Sequence, residues 1–124
     1  MKISDITVMI CDDSPLVIKK TGDILRKIGI THIIHASDGE ESVALYKSEK
    51  PDLVFMDIVM PKKTGLEALR EIRTADPEAR VVMASTIGTQ SNLIAAIREG
   101  AFEFLQKPIK EEDILKVINR MLKE

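Results

Sequence analysis

The chain has 124 residues, of which 44% are hydrophobic and 31% are charged. That balance is typical of one folded domain and excludes both a disordered chain and a membrane-spanning protein. Because 18 Lys and Arg are offset by 20 Asp and Glu, no net field would attract nucleic acid or an anionic membrane. Any partner must therefore be recognised by local features of the surface.

The single cysteine, Cys11, excludes an internal disulfide and suits a reducing compartment. The N-terminus carries no signal-peptide pattern, and no segment has the long apolar run needed to cross a bilayer. We therefore expect a cytoplasmic, monomeric protein that consists of a single domain, residues 1–124, with no nucleic-acid or membrane partner.

Apolar runs and helix signals alternate five times along the chain. Ser14 and Pro15 are typical of a helix start and Gly29 of a helix end, and capping-box spacing after Ser37 marks a second helix. Such alternation predicts a parallel sheet with helices on both faces. The predicted strands cover 6–11, 31–36, 51–57, 80–84 and 101–105, and the predicted helices cover 15–28, 38–49, 66–75, 88–99 and 111–122.

The spacing of apolar residues within these elements predicts which side chains pack inward. Phe102 and Phe104 are two residues apart in the fifth predicted strand, so we expect both to lie on the same face of the sheet. In the fourth predicted helix, the side chains that we expect to face the core are Leu93, Ile94, Ala96 and Ile97.

The apolar run in residues 51–57 ends abruptly on the carboxylate of Asp57. Pro51 and Asp52 bound its other side, a pattern typical of a short, fully buried strand. In open parallel sheets the carboxyl edge is where ligands bind, which favours a functional role for Asp57. A strand-terminal Asp also often caps a turn, so this run alone leaves both interpretations open.

Polar residues stand at the ends of four predicted strands, and parallel strands bring all of these ends to one edge of the sheet. The residues are Asp12, Asp13, Asp57, Ser85 and Lys107. Three close carboxylates repel one another unless a cation lies among them, and an oxygen-only ligand set suits Mg²⁺. A lysine and a hydroxyl suit an anion such as a phosphoryl group. Each residue alone has an ordinary turn or surface interpretation, but their joint placement predicts a phosphoryl-binding site.

Taken with Met60-Pro61 and Gly65 after the central acid and Pro108 after the lysine, this set resembles the receiver domain of two-component response regulators. The likeness covers essentially the whole chain. No output domain follows Glu124, so we expect a stand-alone receiver of the chemotaxis type. The resemblance implies a flavodoxin-like α/β fold, a doubly wound five-stranded parallel sheet of order 2-1-3-4-5 with five helices.

The resemblance also implies a chemical role for each acid. Asp57 would be the nucleophile that takes a phosphoryl group from a histidine kinase or a phosphotransfer protein. Asp13, Asp57 and the backbone carbonyl of Val59 would ligate Mg²⁺, with Mn²⁺ able to substitute, and Asp12 would act mostly through water. Lys107 would pair with a phosphoryl oxygen.

A second part of the resemblance concerns switching. Ser85 would move in to hydrogen-bond another phosphoryl oxygen, and Phe104 would turn inward as Ser85 moves. The Lys107–Pro108 peptide bond would be cis, against a base rate of about 5–6% for X–Pro bonds. The surface formed by the fourth helix, fifth strand and fifth helix would then change its affinity for a downstream target.

The chain departs from the family pattern at several positions. Family members commonly carry Asp where this chain has Thr64, and a small residue where it has Thr86. Val59 and Ile87 fall at positions that, in the family, tune the lifetime of the acyl phosphate, so the resemblance implies slow self-dephosphorylation for apolar residues there. Phe104 stands where Tyr is common, which keeps the bulk of the switch residue and removes a hydroxyl.

The main hypothesis is a signalling switch rather than a turnover enzyme, and four alternatives stand beside it. The protein could pass its phosphoryl group onward in a phosphorelay, or it could be a degenerate receiver, which the complete set of acids, hydroxyl and lysine argues against. An aspartyl-phosphate phosphatase of the haloacid dehalogenase type would want a second Asp where this chain has Val59. A mononucleotide binder would want a Ser/Thr/Gly-rich first turn, whereas Asp12-Asp13 would repel a phosphate.

Overall fold

A computed structural model describes residues 2–86 and 90–124, and within these ranges five strands alternate with five α-helices. The strands form one parallel sheet of order β2-β1-β3-β4-β5, which confirms the predicted fold class. The elements are β1 (Thr7–Cys11), α1 (Pro15–Ile28), β2 (His32–Ala36), α2 (Gly39–Glu49), β3 (Leu53–Asp57), α3 (Gly65–Ala75), β4 (Val81–Ser85), α4 (Gln90–Arg98), β5 (Glu103–Gln106) and α5 (Glu111–Leu122).

The sheet centres on β3, which pairs with β1 on one side and β4 on the other. Phe55 is in register with Ile10 and with Val82, and Asp57 is in register with Ala84. The first four residues of β3 are buried, because helices cover both faces of the sheet. A central, doubly covered strand is the most constrained segment of such a sheet, and it is the strand that ends on Asp57.

Helices on the two faces bury separate apolar layers. The layer on one face includes Met9, Met56 and Met83 of the sheet with residues of α2, α3 and α4, among them Tyr46, Leu69 and Ala96. The layer on the other face includes Ile10, Phe55 and Val82 with residues of α1 and α5, among them Leu25, Ile114 and Ile118. In the described part of the chain, no helix has the length and apolarity required to span a membrane.

Local capping explains where several helices begin and end. The Ser14 hydroxyl accepts a hydrogen bond from the Val17 N–H at 3.3 Å, and Gly29 ends α1 in the left-handed region with φ of 118°. At the start of α2 the cap is Asp38 rather than Ser37. Its carboxylate accepts from the Glu41 N–H at 2.7 Å, while the Glu41 carboxylate accepts from the Ser37 N–H, also at 2.7 Å.

Two predictions about packing are wrong. Of the four apolar α4 residues, only Ala96 is fully buried in the core layer; Leu93, Ile94 and Ile97 are 38%, 42% and 64% exposed. Phe102 and Phe104 pack against opposite layers. Phe102 lies outside β5, which begins at Glu103. The rule that side chains alternate between faces along a strand therefore does not apply to it.

The segment that joins β4 to α4 is only partly described. The predicted start of the fourth helix at Gly88 lies outside the described residues, as does Ile87, so the expectation attached to that side chain stays a prediction. The other element boundaries coincide with the predicted ones or differ from them by at most two residues, which is the usual scatter at the ends of helices and strands.

Tyr46→Phe tests a contact that ties α2 to the end of α3. The ring of Tyr46 is buried, and its hydroxyl donates to the carboxylate of Asp76, the residue that ends α3, at 2.7 Å. Losing a hydrogen bond to a charged group should lower the free energy of unfolding by about 1.5 kcal/mol, as measured by urea denaturation. Ser48→Ala, which removes an exposed hydroxyl from the same helix, should change it by less than about 0.5 kcal/mol. Equal effects of the two variants would contradict the assignment.

Candidate functional site

The carboxyl edge of the sheet gathers the residues that the sequence placed at the ends of strands. Asp12 and Asp13 directly follow β1, Asp57 ends β3, Ser85 ends β4, and Lys107 directly follows β5. Because β1, β3 and β4 are adjacent and β5 borders β4, these side chains belong to one concave edge. Parallel pairing is what brings together residues that are as far apart in sequence as Asp12 and Lys107.

A buried ion pair network forms the centre of this edge. The Lys107 Nζ lies 2.5 Å from Asp12 Oδ2 and 3.2 Å from Asp57 Oδ1. The side chains of Asp12, Asp57 and Lys107 are only 4%, 11% and 11% exposed, so these charges are weakly screened by water. The other oxygen of Asp12 accepts from the Ser14 N–H at 2.9 Å, which fixes the carboxylate against the start of α1.

The family resemblance implied a water-mediated role for Asp12 towards a metal, and the structure shows a direct contact between Asp12 and Lys107. Asp12 is the nearer of the two acids to Lys107, so it holds the ammonium group in place beside Asp57. Their positions at strand ends were enough to identify Asp12 and Lys107 as members of the site. Those positions could not indicate that the two residues contact each other, because that contact depends on side-chain reach across the β1–β3–β4–β5 edge.

Electrostatics at this edge disfavour the ionised form of Asp57. Burial raises the pKa of the Asp57 carboxyl above its usual range, and the charges of Asp12 and Asp13 raise it further, while Lys107 opposes the shift. For Lys107, burial lowers the pKa, but the hydrogen bond to Asp12 and the charges of Asp12 and Asp57 outweigh burial, so its pKa is raised. The lysine is therefore a permanent cation at neutral pH.

The carboxylates of Asp12, Asp13 and Asp57 fit a divalent cation. One oxygen from each lies within 4.8 Å of the other two, and Asp13 is exposed at the mouth of the site. Three carboxylates and one ammonium carry a net charge of −2, which one divalent ion would neutralise. An oxygen-only ligand set with an open, hydrated side suits Mg²⁺, which retains several waters in protein sites.

The loop between β3 and α3 is held tightly against Asp57. The Gly65 N–H donates to the Ile58 carbonyl at 2.7 Å, and a Cβ on Gly65 would lie 1.9 Å from the backbone oxygen of Asp57. Only glycine allows α3 to begin this close to the end of the strand. Ile58 and Met60 are buried, whereas the side chain of Val59 between them is 74% exposed.

The residues predicted to switch lie beside this site on β4 and β5. Ser85 is buried, and its carbonyl accepts from the Lys107 N–H at 2.8 Å. Phe104 packs against the layer of α2, α3 and α4, and it also borders an open surface pocket of about 380 Å³ that Lys107 and Pro108 line as well. The Lys107–Pro108 peptide bond is cis, the geometry that the resemblance implied.

Strand order, helix layers and an edge of three acids with one lysine define a doubly wound, flavodoxin-like α/β domain whose ligand site lies at the carboxyl ends of its strands. The profile of the response regulator receiver domain matches residues 8–119. The chain therefore belongs to the receiver family of two-component signalling, which is a signalling family rather than a class of metabolic enzymes.

Individual relatives point to the chemotaxis branch of this family. The chain is 41% identical to the chemotaxis protein CheY of Bacillus subtilis over 93% of this chain and 96% of that protein. It is 37% identical to CheY of Thermotoga maritima over 94% of this chain and 97% of that protein. Among solved structures, the CheX–CheY–BeF₃–Mg²⁺ complex from Borrelia burgdorferi matches with a TM-score of 0.89 and 34% identity, covering 94% of this chain and 89% of that one.

Asp57→Asn should stabilise the protein when no divalent cation is added. Since the pKa of Asp57 is raised in the folded state, its ionised form costs stability at neutral pH, and that cost disappears as the pH falls through the raised pKa. The melting temperature of the Asn variant should therefore exceed that of the wild type at pH 7 in EDTA, and the difference should narrow as the pH approaches about 4. A less stable Asn variant at pH 7 would contradict this account of the site.

Proposed function

We propose that this protein is a phosphorylation-driven signalling switch that accepts a phosphoryl group on Asp57 in a Mg²⁺-dependent reaction. The donor would be the phosphohistidine of a histidine kinase or of a phosphotransfer protein. The observation that carries the proposal is the ammonium group of Lys107, held by Asp12 within 3.2 Å of an oxygen of the largely buried Asp57. A nucleophilic carboxylate beside a fixed cation suits attack on an anionic phosphoryl group.

The transfer would proceed by in-line displacement. An oxygen of the Asp57 carboxylate would form a bond to phosphorus as the bond from phosphorus to the donor's imidazole nitrogen breaks, leaving an acyl phosphate on Asp57 and a neutral imidazole after protonation. Lys107, already placed beside Asp57, would pair with a phosphoryl oxygen. The protein would catalyse its own phosphorylation and dephosphorylation and would not turn over as an enzyme.

The metal ligands would be Asp13, Asp57 and the backbone carbonyl of Val59, with Asp12 acting through water because its own oxygens are engaged by Lys107 and by Ser14. The close carboxylate oxygens and the exposed position of Asp13 support this assignment. Bound Mg²⁺ would neutralise the negative charge of the carboxylates, which otherwise repels an anionic phosphoryl donor. Mn²⁺ would substitute for Mg²⁺.

Phosphorylation would shift the protein between two arrangements of Ser85 and Phe104, since the phosphoryl group would bond better to one of them. The surface that responds would be the face of α4, β5 and α5. Leu93, Ile94 and Ile97 of α4 are exposed apolar side chains, and such a patch is typical of a partner-binding surface. Phe104 lies on β5, the strand of this face that leads directly to Lys107.

The chemotaxis relatives and the CheX complex from Borrelia burgdorferi favour a protein partner for the phosphorylated form. We propose that this chain acts as a cytoplasmic monomer that binds such a downstream target on its α4, β5 and α5 face. Its mixed charge, 18 Lys and Arg against 20 Asp and Glu, supports a partner that is neither nucleic acid nor an anionic membrane.

Incubation with labelled acetyl phosphate tests the reaction. The wild type should take up label only with added Mg²⁺, and Asp57→Asn should take up none, because the nucleophile is lost. Asp23→Asn changes an exposed acid on α1 that pairs only with Lys19 and Arg26 in the surface contacts described, and it should behave as the wild type does. Label retained by Asp57→Asn, or uptake indifferent to Mg²⁺, would overturn the proposed mechanism.

Ser85→Ala tests the switch separately from the chemistry. Beryllofluoride with Mg²⁺ should still bind this variant, because Asp57 and Lys107 remain, but the NMR signals of the Phe104 ring should no longer shift as they do in the wild type. Phe104→Leu assigns those signals. An unchanged ring shift in Ser85→Ala would show that Ser85 does not couple the site to Phe104.

A further inference from the structure

The loop that leads from β3 to α3 is anchored at its far end by the start of another helix, α2. The Pro61 carbonyl accepts from the Gly39 N–H at 3.3 Å and from the Lys63 N–H at 2.8 Å. The Lys62 Nζ lies 3.6 Å from Asp38 Oδ2. Asp38, which caps α2, and Gly39, its first residue, therefore both contact the loop that carries Val59.

Close approach, not backbone conformation, requires glycine at position 39. Its φ is not in the left-handed region, yet a Cβ there would lie 2.2 Å from the backbone oxygen of Lys63 and 2.5 Å from the Lys63 Cβ. Backbone oxygen cannot rotate away as a long side chain can, so the segment around Lys63 would have to retreat by about 1 Å, twice the tolerance of about 0.5 Å for a precise site.

Two anchors thus bracket the position of Val59. At the near end the Gly65 N–H closes the loop on the Ile58 carbonyl, and at the far end Gly39 closes it on Pro61. Val59 lies between these contacts, with its side chain directed to solvent. The placement of its backbone therefore depends on both anchors, one of which belongs to α2 and lies outside the acid cluster.

We propose that Asp38 and Gly39 are positioning residues for the metal site: by holding the β3–α3 loop against the start of α2, they set the position of the Val59 carbonyl. This inference rests on the proposed function, in which that carbonyl is a ligand. Mg²⁺ demands a nearly ideal octahedron of ligands, so a loop displaced by about 1 Å should bind it poorly. Outer partners of metal ligands typically contribute about 10- to 100-fold to affinity.

Gly39→Ala is the direct test, read by calorimetric titration with MgCl₂ at a temperature where circular dichroism finds the variant folded. The variant should bind Mg²⁺ about tenfold more weakly than the wild type, and its phosphorylation by acetyl phosphate should recover at saturating Mg²⁺. A role in stability alone would lower the melting temperature without altering the affinity of the folded protein. Affinity within about twofold of the wild type would overturn the inference.

Gly22→Ala is the matched control. Gly22 is also a buried helical glycine, but the three atoms nearest to a Cβ there all belong to the guanidinium of Arg26, the closest at 3.1 Å, and that exposed side chain can move aside. This variant should keep the wild-type affinity for Mg²⁺. An equal loss in Gly22→Ala and Gly39→Ala would mean that any added methyl group disturbs the site, and it would overturn the specific role of Gly39.

If Gly39→Ala does not fold, a second pair of variants tests whether the start of α2 positions the metal site. Asp38→Ala removes the cap that fixes the first turn of α2, whereas Asp38→Asn can keep it, and both remove the charge that faces Lys62. Asp38→Ala should bind Mg²⁺ about threefold more weakly than Asp38→Asn, and equal affinities would overturn the inference. Failure of the wild type itself to bind Mg²⁺ would instead overturn the proposed function.

Discussion

The crowding of three carboxylates around one ammonium group is the interaction on which the functional edge depends. Lys107 balances one negative charge, and burial of Asp12 and Asp57 prevents water from screening the rest. This excess of negative charge disfavours the ionised Asp57 and at the same time favours a divalent cation. A cation bound there would make the edge receptive to a phosphoryl group, so a feature that lowers the stability of the isolated protein prepares it for its proposed chemistry.

The frame around this edge is built from close backbone contacts rather than from large side chains. The acid Asp57 ends a strand that is paired on both sides, and α3 begins directly against its backbone because position 65 is glycine. The loop beyond Asp57 is in turn tied to the start of α2 through Gly39. The helices α2 and α3, on one face of the sheet, therefore restrain the loop. Lys107, which follows the edge strand β5, contacts Asp57 at the start of that loop.

The helix α4, on the same face of the sheet, buries fewer side chains than α3 does. Among the described side chains of α4, Ala96 alone is fully buried, whereas α3 buries Ala68, Leu69 and Ile72. An element with few buried apolar contacts can move at low cost. In the chain, α4 connects β4 to β5, and the ends of these strands, which carry Ser85 and Lys107, are joined by a backbone hydrogen bond. A helix with few buried apolar side chains would be the movable element that the proposed switch requires.

The alternation of elements, the helix cap Ser14 and the five polar residues at the strand ends could all be predicted from the sequence. These features depend on local propensity and on the shared direction of parallel strands. The strand order came from the family resemblance and was confirmed by the structure. Three features could not be predicted and were found in the folded structure: Asp12 holds Lys107; Leu93, Ile94 and Ile97 of α4 are exposed; and Gly39 lies against the loop after Asp57. Each of these depends on distances between segments that are remote in sequence, and periodicity along the chain carries no information about such distances.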